Sequence, residues 1–139
     1  MSKLTKALTA AAGNAGGDNL YVEDVFSTYL YTGNGSTQTI TNGIDLAGEG
    51  GLVWTKSRTV AYSYDLIDTD RGIKSSLRTN GTSAAATAAA NRGFSSFNSD
   101  GYSIAGTFGG FGSLNVDNVP HVSWTFRKAE KFFDVVTYT

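Results

Sequence analysis

The chain contains one histidine, His121, and a hydrolase-type triad of nucleophile, base and orienting acid would need it as the base. His121 follows Pro120 at the start of a β-rich run, and the sequence offers no cysteine that it could activate. The other role open to it is that of a partly exposed structural histidine on a strand, and the sequence favours this role. No catalytic residue is therefore predicted, and the protein is not expected to be an enzyme.

Three aspartates, Asp65, Asp68 and Asp70, precede Arg71 at spacings that could bring carboxylates together or ligate calcium. Asp68 and Asp70 would share a face if one strand ran through both. However, the run Thr69–Gly72 has the composition of a turn, where aspartate bonds to the turn backbone or pairs with arginine. The sequence favours a turn or an Asp–Arg pair, and no metal ligand is predicted.

The glycine-rich run Gly106–Gly112 lacks the lysine and the helix N-terminus of a phosphate-binding loop, so no cofactor is expected. Phe108 and Phe111 within it are candidates for a subunit contact or a ligand contact. Trp54 and Trp124 lie in strand-like runs, where packing in the core is favoured over stacking on a sugar.

Composition narrows the class of protein further. The 139 residues include 17 glycines, one proline and no cysteine, so disulfides and thiolate metal sites are excluded. The 11 basic and 12 acidic residues leave a net charge of −1, which argues against a nucleic-acid partner. No apolar run approaches the length needed to span a membrane.

Alternation of apolar and polar residues with period 2 recurs along the chain and is typical of half-buried strands. Predicted strands or hairpins cover Thr37–Thr41 with Ile40 inward, a central Leu52–Ser57, Tyr62–Asp68, Phe94–Ile104 turning at Ser99–Gly101, and Val122–Arg127. Thr79–Arg92 is expected to form a surface loop. Eight or nine short strands without a long helix predict one all-β domain, an antiparallel β-sandwich.

The two ends of the chain are set apart from this domain. Residues 1–19 form a tail with a glycine linker, either disordered or a short helix that places Leu4, Leu8 and Ala11 on one face for attachment. Phe133–Thr139 repeats the pattern of Phe26–Thr32 at an offset of 107 residues, and both end in Tyr-Thr. The predicted organisation is therefore a tail (1–19), a sandwich (20–131) and a segment (132–139) that begins a further repeat or completes the sandwich.

Four motifs in a fixed order carry a resemblance to a known class of proteins. They are Gly51–Arg58 (GLVWTKSR), Asp68–Gly72 (DTDRG), Phe97–Tyr102 (FNSDGY) and Ser123–Ala129 (SWTFRKA). The series resembles the N-terminal module of tail-fibre and other virion structural proteins of tailed, especially marine, bacteriophages, in which concanavalin-like (LamG-like) sandwich repeats follow.

The resemblance implies a jelly-roll or concanavalin-like sandwich in the virion tail, assembled as a homotrimer. It implies that the N-terminal part attaches the fibre to adaptor or nozzle proteins of the tail, while host recognition, including any cell-surface glycan, belongs to a C-terminal part. Two alternatives stay open. One is a lectin-like receptor-binding module that uses Trp54, Phe108, Phe111 or Tyr102, and the other is a capsid decoration protein.

Overall fold

The computed structural model describes residues 20–87, 93–106 and 114–138, and nearly all of their regular structure is β. The elements are α1 (Val22–Val25), β1 (Phe26–Thr32), β2 (Gln38–Thr41), β3 (Gly51–Ser57), β4 (Asp65–Asp68), β5 (Ser75–Arg78), β6 (Ala86–Thr87), β7 (Phe94–Asn98), β8 (Gly101–Ile104) and β9 (Pro120–Arg127). The predicted tail and its residues Leu4, Leu8 and Ala11 lie outside the described residues, as do Phe108 and Phe111.

The strands form two antiparallel sheets. A six-stranded sheet has the order β1-β9-β3-β4-β5-β6, and a three-stranded sheet has the order β2-β8-β7. β9 lies between β1 and β3, with Phe26 opposite Phe126 on one side and Trp54 opposite Trp124 on the other. The predicted all-β antiparallel sandwich is therefore confirmed.

Several local predictions are also confirmed. Ile40 on β2 is buried, β3 is an interior strand of its sheet, and β7 and β8 form the hairpin that turns at Ser99–Asp100. One boundary was wrong, because the strand expected from Tyr62 begins only at Asp65. The backbone N–H of Tyr64 instead donates to Asn80 Oδ1 at 3.1 Å, while its carbonyl accepts the Thr79 backbone N–H at 3.0 Å.

The hydrophobic core lies between the two sheets, and most of its bulk comes from the smaller sheet and from loops. Ile40, Phe94, Tyr102 and Ile104 project from the three-stranded sheet, and Phe94 and Tyr102 stack at 4.8 Å between ring centroids. The six-stranded sheet supplies Tyr31, Val53 and Ile67, and loops supply Ile44, Leu46 and Leu114. Because bulky side chains arrive from the smaller sheet, part of the facing sheet carries small ones, such as Thr55, Ser123 and Thr125.

Candidate interaction surface

The inner face of the six-stranded sheet is polar at its centre. On β9 the inward-facing residues His121, Ser123 and Thr125 are buried, and the buried residues of β3 include Thr55 and Ser57. Val122, on the other side of β9, is buried as well. Asn42, which follows β2, donates its Nδ2–H to Thr125 Oγ1 at 2.8 Å, and this bond places the polar residues on the side of the smaller sheet. Since side chains alternate along a strand, Leu52 and Trp54 of β3 and the even-numbered residues of β9 lie on the opposite, outer face, while Val53 points into the core.

That outer face is apolar and aromatic. We call it the aromatic face, and it consists of Leu30, Leu52, Trp54, Leu66, Leu77, Val122, Trp124 and Phe126. Its middle row runs in register from Thr28 through Trp124 and Trp54 to Leu66 and Leu77. Each of the nine described strands belongs to one of the two sheets, and the smaller sheet covers the inner side, so no described strand covers this face.

The two tryptophans form the centre of the aromatic face. Their ring centroids are 5.0 Å apart with the rings inclined by 39°, and both side chains are half-buried. Trp54 Nε1–H donates to Thr79 Oγ1 at 3.0 Å, which satisfies its polar atom and fixes the ring.

Three phenylalanines close one end of the aromatic face. Phe126 packs against Phe26 at 4.9 Å and against Phe133 at 5.3 Å between ring centroids. Phe133 reaches this position because a tight turn brings it back to Ala129, with which it exchanges two backbone hydrogen bonds of 2.9 and 3.1 Å. The segment after β9 thus starts on the aromatic face.

Lysine and tyrosine side chains flank the other end of the face. Lys56 projects outward from β3, and its Nζ lies 4.5 Å from the centroid of the Tyr64 ring. Leu30, on the neighbouring part of β1, is 58% exposed. The face therefore has apolar side chains up to the edge of the sheet.

The lone histidine is buried in the interior. His121 is 1% exposed and stacks on Tyr31 at 5.0 Å between ring centroids. Burial lowers the pKa of His121 to about 4, so the ring is neutral at physiological pH. The predicted structural role fits this placement, but the expected partial exposure was wrong, because the inner face of β9 carries the polar residues.

The neighbouring tyrosines are buried as well. Tyr31 Oη donates to the carbonyl of Leu114 at 2.8 Å and lies 3.2 Å from Thr55 Oγ1. Burial raises the pKa of Tyr31 and of Tyr102 above the ordinary value, so both phenols are protonated. Tyr102 is 0% exposed and cannot contact a sugar, which removes it from the lectin-like alternative.

The three aspartates do not converge on one site. Asp65 is buried and accepts a 2.8 Å hydrogen bond from Ser76 Oγ, whereas Asp70 pairs with Lys128. Asp68 accepts bonds from the Arg71 backbone N–H at 2.8 Å and from Arg71 Nε at 2.7 Å. The predicted Asp–Arg pair in a turn is confirmed, and among the described residues no three histidine, cysteine or acidic side chains are grouped to hold a metal.

Sequence reasoning missed the aromatic face, although its signal was present. Trp54 and Trp124 were expected in the core, and this expectation was wrong because they lie on the outer face. The alternation on β9 showed that Val122, Trp124 and Phe126 share a face without showing which face it is. Leu52 and Trp54 have the same parity on β3, and their pairing with Phe126 and Trp124 makes the surface continuous.

No helix in the described part of the chain combines the length and the hydrophobicity that crossing a membrane requires.

Searches of curated proteins and of solved structures found no similar protein. A family model described as "Domain of unknown function (DUF7483)" matches residues 22–134, which include every described strand. The chain belongs to this DUF7483 family.

Proposed function

We propose that the chain is a non-catalytic structural module of a tailed-bacteriophage virion, the N-terminal part of a tail fibre that attaches the fibre to the tail and supports host recognition. The observation that carries the proposal is the aromatic face, which is a surface suited to assembly. The described residues of the sandwich include no exposed histidine and no metal cluster. The ordered motifs, which resemble those of virion structural proteins, supply the biological setting of the proposal.

The size of the aromatic face supports packing against a second copy of the chain. Its eight side chains, each with a footprint of about 32 Å² from a strand spacing of about 4.8 Å and a rise of about 3.3 Å per residue, cover roughly 250 Å² of the sheet. Leu30 and Leu77 are exposed, the two tryptophans are half-buried and Val122 is buried. Contiguous exposed apolar side chains mark interaction sites. A stable interface needs roughly 800 Å² from each partner, so the aromatic face supplies about a third and adjoining surface supplies the rest.

The charge distribution also permits copies to meet through this face. The net charge is −1, and Lys56, the charged residue of β3, is drawn over the Tyr64 ring. Copies therefore do not repel one another strongly. Removing water from the face leaves no unpaired charge buried at its centre. A homotrimer, the usual state of a fibre, would bury three such faces.

A lytic or sugar-cleaving role has little support from the described side chains. The single imidazole is buried and has a pKa of about 4, so it can neither reach a substrate nor titrate near neutral pH. Asp68 and Asp70 are each held by a basic side chain. The proposal accordingly assigns no catalytic residue.

The composition of purified phage particles tests the proposal directly. Quantitative mass spectrometry of virions from the phage that encodes this chain should detect it at a few copies per particle, in multiples of three. Removing residues 1–18 should abolish incorporation while the circular dichroism of the sandwich stays unchanged. Hundreds of copies would instead indicate a decoration protein, and absence from the particle would overturn the virion role.

A further inference from the structure

Strand β1 is an edge strand without the features that usually protect an edge. It is seven residues long and pairs with β9 in unbroken register from Phe26–Phe126 to Thr32–Pro120. It contains no proline, no charged residue and no bulge. Such an edge presents a row of backbone N–H and C=O groups that can accept another strand.

The other edges of the described sheets are better protected. β6 has two residues, β2 has four, and the register of β7 shifts between Phe94 and Ser96. Short strands and irregular register both discourage strand addition. Among the described strands, β1 is therefore the edge most open to a partner.

The segment that follows the turn after β9 has the sequence of a strand but lacks strand partners. Phe133–Thr139 matches Phe26–Thr32, and Val135, Val136, Thr137 and Tyr138 favour β structure. Beyond the bridge at Phe133, residues 134–138 form no strand with any described part of the chain. Val136 is 74% exposed and Tyr138 is 94% exposed.

The starting point of this segment favours a partner in another copy. Phe133 packs on Phe126 of β9, above the outer face and one strand inward from the β1 edge. To join its own β1, the segment would have to pass over β1 and drop into the plane of the sheet. Asp134 Oδ1 lies 3.9 Å from Lys128 Nζ, and the Lys128 backbone bonds to Gly50 beside β3, so the segment starts on the β3 side of β9 and not towards the β1 edge of its own copy.

We propose that residues 134–138 of one copy add as a strand to the free edge of β1 in a second copy. Val136 and Tyr138 share one side of the added strand, because side chains alternate. Placed beside Leu30, which is 58% exposed, they would extend the aromatic face and shield that leucine. The acceptor has no charge and the donor segment has only Asp134, so no like charges face each other across the new pair.

The proposed strand addition specifies the symmetry of the assembly. The inference rests on the proposed function, because that function requires the chain to assemble. Donor and acceptor are different surfaces, so the contact is heterologous and generates closed rings, such as trimers, or open filaments. A β1–β1 contact would instead be isologous and would give a twofold dimer. The two modes are distinguishable by the effect of changing the donor segment.

A pair of prolines in the donor segment tests the inference on the full chain. The double variant Val135→Pro/Val136→Pro removes two neighbouring backbone N–H groups outside the described strands, so the fold should be kept. Because neighbouring N–H groups point to opposite sides of a strand, one of the two must face β1, and strand addition is lost. Val135→Thr/Val136→Thr is the matched control, because it keeps both N–H groups and the β preference. By sedimentation velocity, we expect the double proline variant to raise the dissociation constant at least about tenfold and the double threonine variant to change it by less than about twofold.

Amide hydrogen exchange gives a second readout on the acceptor strand. The β1 amides of the wild-type chain should gain protection as the chain associates, and those of Val135→Pro/Val136→Pro should not. The inference is overturned if the wild type stays monomeric, or if the double proline variant associates and protects β1 as the wild type does. If the double proline variant has no effect while a charge on the aromatic face abolishes association, this inference fails and the proposed assembly role stands.

Discussion

Individual side chains in the interior carry polarity that most sandwiches place outside. Thr55, Ser123 and Thr125 are fully buried on the inner face, and Thr125 is anchored to Asn42 of the opposite layer. Hydroxyl groups are small enough to fit beneath Tyr102 and Ile104 and can bond to neighbours when buried. His121 adds the larger cost, because both of its ring nitrogens lack a hydrogen-bond partner among the described residues, as does Ser123 Oγ.

The burial of His121 predicts a dependence of stability on pH. Its pKa is lowered from 6.5 to about 4, so the unfolded chain binds a proton in a range where the folded chain does not. Stability is therefore fully present above pH 6.5 and falls as the pH is lowered towards 4. Between pH 7 and pH 5 the free energy of unfolding should decrease by roughly 2 kcal/mol.

Urea denaturation at a series of pH values measures this effect. His121→Phe keeps a ring that can stack on Tyr31 but has no titrating group, so its free energy of unfolding should vary little between pH 7 and pH 5. Equal slopes in the two proteins would contradict the assignment of this pH dependence to His121.

At the scale of the elements, the strands and their hairpin were predictable, and the orientation of the large sheet was not. Period-2 patterns located β3, β9 and the β7–β8 hairpin, because alternation and turn residues are local properties of the sequence. Which side of β9 faces inward depends on the opposite layer. That layer is already filled by Ile40, Phe94, Tyr102 and Ile104, so Trp124 faces outward, and no local rule could have shown this.

A close backbone contact between β8 and β2 gives a prediction at the same scale. A Cβ atom at Gly101 would lie 2.0 Å from the carbonyl oxygen of Ile40, across the strand pair that holds the smaller sheet together. Gly101→Ala must displace backbone, and we expect it to lower the free energy of unfolding by more than about 2 kcal/mol. Chemical denaturation would measure this loss.

Gly81→Ala is the matched control for the substitution at Gly101. No atom lies within 4 Å of a Cβ placed at Gly81, so alanine there should change stability by less than about 0.5 kcal/mol. Comparable losses in the two variants would show that the contact between β8 and β2 is not the cause.

At the scale of the whole molecule, three features lie together around one side of the six-stranded sheet. They are the aromatic face, the free edge of β1 and the segment that leaves from Phe133. The opposite side is closed by the smaller sheet. A molecule with one closed and one open side is suited to be a unit of an assembly. Burying the open side would contribute about 25 cal/mol per Å² of apolar area to the free energy of association.

The solvent accessibility of tryptophan during association tests the burial of the aromatic face most directly. The chain has two tryptophans, and both lie on that face. As the concentration rises from about 1 µM to about 100 µM, acrylamide quenching should fall about twofold and the emission should shift to the blue. Thr28→Lys places a charge beside Trp124 and should abolish the change, while Thr41→Lys, on an exposed site of the other sheet, should preserve it. Association without any change in tryptophan quenching, or with Thr28→Lys behaving as the wild type, would contradict the assembly role of the aromatic face.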